Sequence, residues 1–154
     1  MTQRLVQLLT ERQDYETPPE LVAELAAEFG PFEVDFAATE ANKKAPRCFT
    51  PEQDSLSLDW SGVGFLNPPY GKMTGPFVKK ASEANAKVIC LLPARTDTRW
   101  FHDHVLPKAN LVRFLRGRPK FLLNGQPVLD PKTGRPASGK FPSMIVVFDG
   151  RASE

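Results

Sequence analysis

Long apolar runs are absent: nothing in the 154 residues approaches the roughly 20 needed to cross a bilayer. The opening stretch has neither the apolar centre nor the small-residue cleavage site of a secretory signal. The expectation is a soluble chain that works in the cytoplasm. Cysteine and histidine are nearly missing, with two of each: Cys48, Cys90, His102 and His104. Two cysteines cannot build a disulfide framework, and a closed zinc site would consume all four residues, so no metal is expected. The histidines stand two apart in a helical stretch and so point to different faces, His102 toward the core and His104 toward solvent. That spacing does not suit a shared metal or a catalytic pair. Cys90 lies inside an apolar run and reads as an inert buried thiol. Repeats and low-complexity segments are also missing, and the length leaves no room for a second core. The prediction is one domain over 1–154, with a mobile arm at 1–13 and a loose end at 149–154.

What the chain has in excess is proline, 15 residues or roughly twice the usual share, and an uneven distribution of charge. Residues 1–59 hold 12 Asp and Glu against 5 Lys and Arg, whereas residues 60–154 hold 6 against 15. The segment 107–142 carries eight basic residues and one acid, Asp130. Such a bias suits docking of a polyanion, although a solvated loop surface would also carry it.

The prolines mark boundaries. Leu21, Val22, Leu25, Ala26 and Phe29 recur at helical spacing over 18–29. Thr17 is the expected N-cap, Pro18 the first helical residue and Glu20 the partner in a capping box, and Gly30-Pro31 stops the helix. A buried strand is predicted at 32–38, then at most one or two helical turns over 39–45; no element is assigned over 46–59. Strand 63–66 is cut off by Asn67-Pro68-Pro69-Tyr70-Gly71, because two prolines remove consecutive ladder donors. A helix from Gly75-Pro76 to about 86 leads to strand 87–92, whose unbroken apolar run is that of a parallel strand covered on both faces. A helix over 99–106 capped by Thr98 or Asp97, a strand at 111–115, a basic hairpin-like excursion over 116–141 and a final strand at 143–148 complete the pattern. Alternating strands and helices predict an α/β fold with an open, mostly parallel sheet, the last strand antiparallel. Ligands bind such sheets at the carboxyl ends of the strands, where Asp35, Asn67 and Pro93-Ala94-Arg95 would converge.

Asn67-Pro68-Pro69-Tyr70, directly after a buried strand, is the most informative tetrapeptide. It resembles the catalytic motif of methyltransferases acting on amino groups conjugated to a ring or carbonyl, above all the DNA adenine-N6 enzymes. The chemistry explains the residue types. Adenine's exocyclic nitrogen is a poor nucleophile because its lone pair is delocalised, so an enzyme must hold both N–H hydrogens and draw the nitrogen toward tetrahedral geometry. The Asn67 side-chain oxygen and the Pro68 carbonyl can both accept, prolines hold that carbonyl in place, and Tyr70 offers a face for stacking.

Tyr15-Glu16-Thr17-Pro18-Pro19, Val34-Asp35-Phe36-Ala37-Ala38, Phe49-Thr50, Asp54-Ser55-Leu56, Asp59-Trp60 and Leu92-Pro93-Ala94-Arg95 accompany the motif in an order similar to the phage and prophage DNA adenine-N6 methyltransferases, the Dam-like phage family. The resemblance covers nearly the whole chain. It implies a compact Rossmann-like methyltransferase fold, S-adenosyl-L-methionine as cofactor and a bacterial host cytoplasm as the working place. It also implies that Tyr15, Thr17 and Pro18 border the cofactor's methionine end, that Asp35 lies at the cofactor loop and that Phe49 and Asp54 lie near its adenosine. Asn67, Pro68, Pro69 and Tyr70 would be catalytic. Each cofactor residue has a plainer reading: Thr17, Asp35 and Asp54 as caps of local turns, Phe49 as core. The sequence departs from the wider methyltransferase pattern in lacking a glycine-rich loop after the first strand, and Phe36 stands where the related motif often has proline.

Charge and placement make Arg95, Arg99, Arg116, Arg118 and Lys120 the candidates for phosphate contact. A target adenine in a duplex would have to flip out to reach Asn67. Adenine in RNA and glutamine in protein present the same conjugated nitrogen and stand as alternatives, as does a catalytically silent nucleic-acid-binding module.

Overall fold

A computed structural model of the chain describes residues 16–120, 122–123, 125–135 and 141–153. The arm expected at 1–13 lies outside them. The main sheet has six strands in the order β2-β1-β3-β4-β8-β5: β1 Val34–Asp35, β2 Arg47–Cys48, β3 Ser61–Leu66, β4 Asn85–Pro93, β5 Leu111–Phe114 and β8 Ser143–Asp149. Strands β1 to β4 are mutually parallel, and β8 runs antiparallel between β4 and β5. β6 Leu122–Leu123 and β7 Gln126–Pro127 form a separate antiparallel pair inside the basic excursion. The open, mostly parallel α/β sheet predicted from the sequence is the one that forms.

Strand periodicity divides the core between the two faces. On β4, Val88, Cys90 and Leu92 turn one way and Ile89 and Leu91 the other, and on β8 Met144, Val146 and Phe148 oppose Ile145 and Val147. Helix α1, Pro19–Phe29, packs Leu25 on the face holding Ile89 and Leu91. Helix α2, Thr74–Glu83, brings Phe77, Val78 and Ala81 to the opposite face, joined by Phe101 and Val105.

Several local expectations are corrected. The strand predicted over 32–38 pairs only at Val34–Asp35, because the chain turns there and the Ala37 N–H donates to Asp35 Oδ1 at 3.1 Å. Over 39–45, where at most one or two helical turns are expected, there is one turn, the Asn42 N–H donating to the Thr39 carbonyl at 3.2 Å; the Thr39 N–H also donates to Asn42 Oδ1 and the Asn42 N–H to Thr39 Oγ1. α2 ends at Glu83 rather than near 86, since β4 begins at Asn85. The stretch after Thr98 has π-helical geometry over Phe101–Val105 before a single α turn, α3 Leu106–Lys108, where Pro107 has no N–H to continue the ladder. Thr98 does cap it, accepting the Phe101 N–H at 3.2 Å. The histidines are reversed: His102 is exposed, with Nε2 2.7 Å from the Thr96 carbonyl, and His104 is half-buried. The expected loose end includes the turn Gly150–Ser153, in which Gly150 lies so near the Ala84 carbonyl that a Cβ would collide.

Thr17 does not cap α1. The N-cap is Pro18, with no side-chain cap bond, because the helix starts one residue later than the pattern suggests. The Thr17 hydroxyl has a partner fifty residues away instead.

Candidate active site

Because β1, β2 and β3 run parallel, their carboxyl ends open on one edge of the sheet. Asp35 pairs with Cys48 on one side and with Phe65 on the other, so Phe49 and Asn67 leave the sheet beside it. A cavity of about 310 Å³ lies at this edge, and Thr17, Asp35, Phe49, Asp54, Asn67 and Pro69 are among its walls. Thr17 enters from the start of α1, and its hydroxyl accepts from Asn67 Nδ2 at 2.9 Å.

Asp35 is 3% exposed. Its two carboxylate oxygens hold the loop above it, Oδ1 accepting from the Ala37 N–H and Oδ2 from the Lys44 N–H, each at 3.1 Å. Burial pushes the carboxyl up to about 7 from an ordinary 3.8, against the pull of those N–H groups and of the Lys44 charge. The folded protein therefore holds a proton on Asp35, between about pH 4 and about pH 7, that the unfolded chain has released. This contribution to stability is fully present below about pH 4, is lost as pH rises to about 7 and stays level above. Asp35→Asn should flatten that part of the denaturation midpoint against pH, apart from a constant offset for the lost Lys44 N–H bond. An unchanged slope would place the raised carboxyl elsewhere.

Phe36, next in sequence, is fully buried and stacks on Trp60 with ring centroids 4.2 Å apart, while Phe49 tilts against it at 5.8 Å. Ser55 Oγ donates to the Phe36 carbonyl at 2.6 Å and the Trp60 indole N–H donates to the Ser55 carbonyl at 3.0 Å. Asp54 holds a left-handed backbone with φ 51°, a conformation Asp tolerates better than most residues. It thereby connects two 3-10 turns, Pro51–Gln53 and Ser55–Ser57, along the cavity wall.

The Asn-Pro-Pro-Tyr turn is secured by Thr74, which is buried at the start of α2. Its hydroxyl donates to the Pro69 carbonyl at 2.9 Å and accepts the Gly71 N–H at 3.0 Å. Pro68 is buried, and Tyr70 is half-buried, packing against the core rather than lining the cavity, its ring edge-on to Phe141 at 5.0 Å. Burial raises the Tyr70 hydroxyl above its ordinary range. The Arg95 guanidinium lies over the same Phe141 ring at 5.3 Å.

Of the residues singled out in the sequence, the cavity thus gathers Thr17, Asp35, Phe49, Asp54, Asn67 and Pro69. Pro18 stands beside it as the N-cap of α1, and Tyr15 lies outside the described residues. Arg95, Arg99, Arg116, Arg118 and Lys120 are exposed. Arg113 of the same basic stretch pairs with Glu28 of α1, through N–O contacts of 2.7 and 2.6 Å. The excursion is tied to the cavity by Glu16, which exchanges backbone bonds with Leu122 at 2.9 Å each way and accepts the Gly125 N–H on Oε1 at 3.3 Å. Glu16, Lys44, Ser55 and Thr74 were not legible as site residues. Glu16 and Ser55 adjoin Thr17 and Asp54 in the segments that accompany the motif, and Thr74 stands just before the Gly75-Pro76 helix start, so the positions of these three could have suggested a role.

The chain as a whole is similar to known proteins. A DNA N-6-adenine-methyltransferase of Haemophilus phage HP1 (strain HP1c1) is 32% identical over 127 residues, covering 79% of this chain and 69% of that protein. One of Escherichia phage T1 is 37% identical over 97 residues, covering 60% of this chain and 40% of that protein. The family model for DNA N-6-adenine-methyltransferase (Dam) matches residues 6–153, a span that takes in every wall of the cavity and all six strands of the main sheet. With the motif, the Rossmann-like sheet and the match over nearly the whole chain in agreement, the protein belongs to the DNA N-6-adenine-methyltransferase (Dam) family of adenine-specific DNA methyltransferases.

Proposed function

We propose that this chain transfers the methyl group of S-adenosylmethionine to the exocyclic N6 of a flipped-out adenine in duplex DNA, with Asn67 and the Pro68 carbonyl accepting the two N–H hydrogens. The observation that carries this reading is Asn67 standing at the wall of the cavity at the carboxyl ends of β1, β2 and β3. The walls suit the cofactor. At about 310 Å³ the cavity falls in the range of small-molecule sites. Phe49 offers an aromatic surface for a purine, and Asp54 supplies a polar group for ribose hydroxyls. When bound, S-adenosylmethionine supplies an electrophilic methyl group on a sulfonium. The chain's residues orient the nucleophile: acceptance of both N–H hydrogens draws the N6 lone pair out of conjugation and toward the methyl carbon. With the cofactor bound there, its sulfur would keep the electron pair of the bond that the methyl group leaves. The extra N6 proton then leaves readily, so no base of unusual pKa is needed.

Mass spectrometry of nucleosides after incubation with S-adenosylmethionine and unmethylated duplex DNA tests the reading. 6-Methyladenine is the expected product; its absence with folded protein would overturn it and turn attention to RNA. The exposed Arg116, Arg118 and Lys120 lead into β6, which is tied to the cavity rim through Glu16, and are the proposed phosphate contacts. Replacing all three with Gln should weaken DNA binding and make the log–log salt slope shallower by about 2 to 3, at roughly 0.9 per phosphate neutralised. An unaltered slope would place the DNA face on another surface.

A further inference from the structure

We propose that Thr17 is a positioning residue that holds the Asn67 carboxamide with its oxygen toward the target amine. The inference rests on Asn67 being the acceptor for that amine. A carboxamide has one accepting and one donating end of nearly the same shape, so a half-turn about its last torsion exchanges them. Only one orientation serves the reaction, because the amine offers N–H donors and the flipped carboxamide would meet them with its own. The structure places Asn67 Nδ2 2.9 Å from Thr17 Oγ1, which accepts its hydrogen. A hydroxyl can serve either end of a carboxamide. Once the amine donates to Oδ1, however, the arrangement that leaves every group paired is the one with Nδ2 on Thr17.

The anchor is itself rigid. Thr17 is 2% exposed. It is clamped between the two-way backbone pairing of Glu16 with Leu122 and the start of α1, where the Pro18 carbonyl accepts from the Leu21 and Val22 N–H groups at 3.1 and 3.2 Å. Pro18, with φ −57°, limits any swing of the chain on that side. Asn67 is held from below by the register of β3 against β1 and β4, so two separate parts of the sequence meet at this bond. Loss of the hydroxyl removes the acceptor that Asn67 Nδ2 meets at 2.9 Å and lets the flipped orientation compete.

The test compares Thr17→Val, Thr17→Ser and Asn67→Ala by kcat, by KM for DNA and by calorimetric affinity for S-adenosylmethionine. Thr17→Val, matched in shape, should lose about tenfold in kcat, the loss of one such hydrogen bond in the transition state, with cofactor affinity within about twofold. Thr17→Ser, which keeps the hydroxyl, should stay within about twofold of the unmutated kcat. Unimpaired kcat in Thr17→Val overturns the proposal, and so does a cofactor affinity that falls as far as kcat does. Should Thr17→Val not fold, Thr17→Ser decides: an unimpaired kcat supports the hydroxyl's role, and a tenfold loss assigns the role to the methyl group and overturns it. Full turnover in Asn67→Ala would remove the catalytic reading itself, whereas an inactive Asn67→Ala beside a fully active Thr17→Val sinks only the positioning role.

Discussion

Asn67→Ala is expected to lower turnover by on the order of 10²–10³-fold or more, the cost of deleting one preorganised group that acts chiefly in the transition state. Cofactor affinity should change by no more than about threefold, because the proposed role of the side chain is toward the target amine. Single-turnover methylation and calorimetric binding, measured on the same preparation, separate the two effects. The variant also leaves the buried Thr17 hydroxyl without Asn67 Nδ2, so a small loss of stability, about 1 kcal/mol, should accompany the loss of activity. If cofactor binding fell in parallel with turnover, the Asn67 side chain would be holding the cofactor itself and the acceptor role would pass to another group.

Phe36→Ala should be the most damaging single change to the fold, at about 3 to 5 kcal/mol for a fully buried aromatic, against the ~5–15 kcal/mol that holds a domain together. The ring has 0% exposure and fills the space between Trp60, Phe49 and the strands. The packing there is tight: a Cβ on Gly64 would come within 2.8 Å of Phe36 Cζ and of Val34 Cγ1. The resulting void would not close easily, since Phe36, Ser55 and Trp60 are linked through hydrogen bonds as well as ring contacts. Thermal unfolding should shift down by about 10 °C or more, and cofactor affinity should fall because Phe49 and Ser55 form part of the cavity wall. A shift of only a degree or two would mean that Trp60 and Phe49 collapse into the space, and that Phe36 matters less to this wall than its burial suggests. The ring contacts also give a physical reason for a large side chain at a position where related motifs often have proline.

The elements set by local chemistry were legible in the sequence. Pro68 and Pro69 cannot continue a ladder, so β3 had to end at the motif, and the unbroken run of β4 needed cover on both faces. The placement of Asp35 and Asn67 at one sheet edge followed from parallel pairing alone. Three contacts at the site did not follow. Thr17 carried every sign of a helix cap, yet its hydroxyl bonds Asn67. The Lys44 N–H reaches Asp35 across nine residues of irregular chain, and Phe141 comes to rest between Tyr70 and Arg95. Periodicity, proline torsions and turn residues act within a few positions of the chain, and so the sequence by itself determined the strands, the motif's location and the edge of the sheet at which chemistry would occur. Which side chain holds which depends on how α1, the basic excursion and the loop after β1 pack over that edge. Only the tertiary structure decided that, because those contacts join residues that share no local pattern.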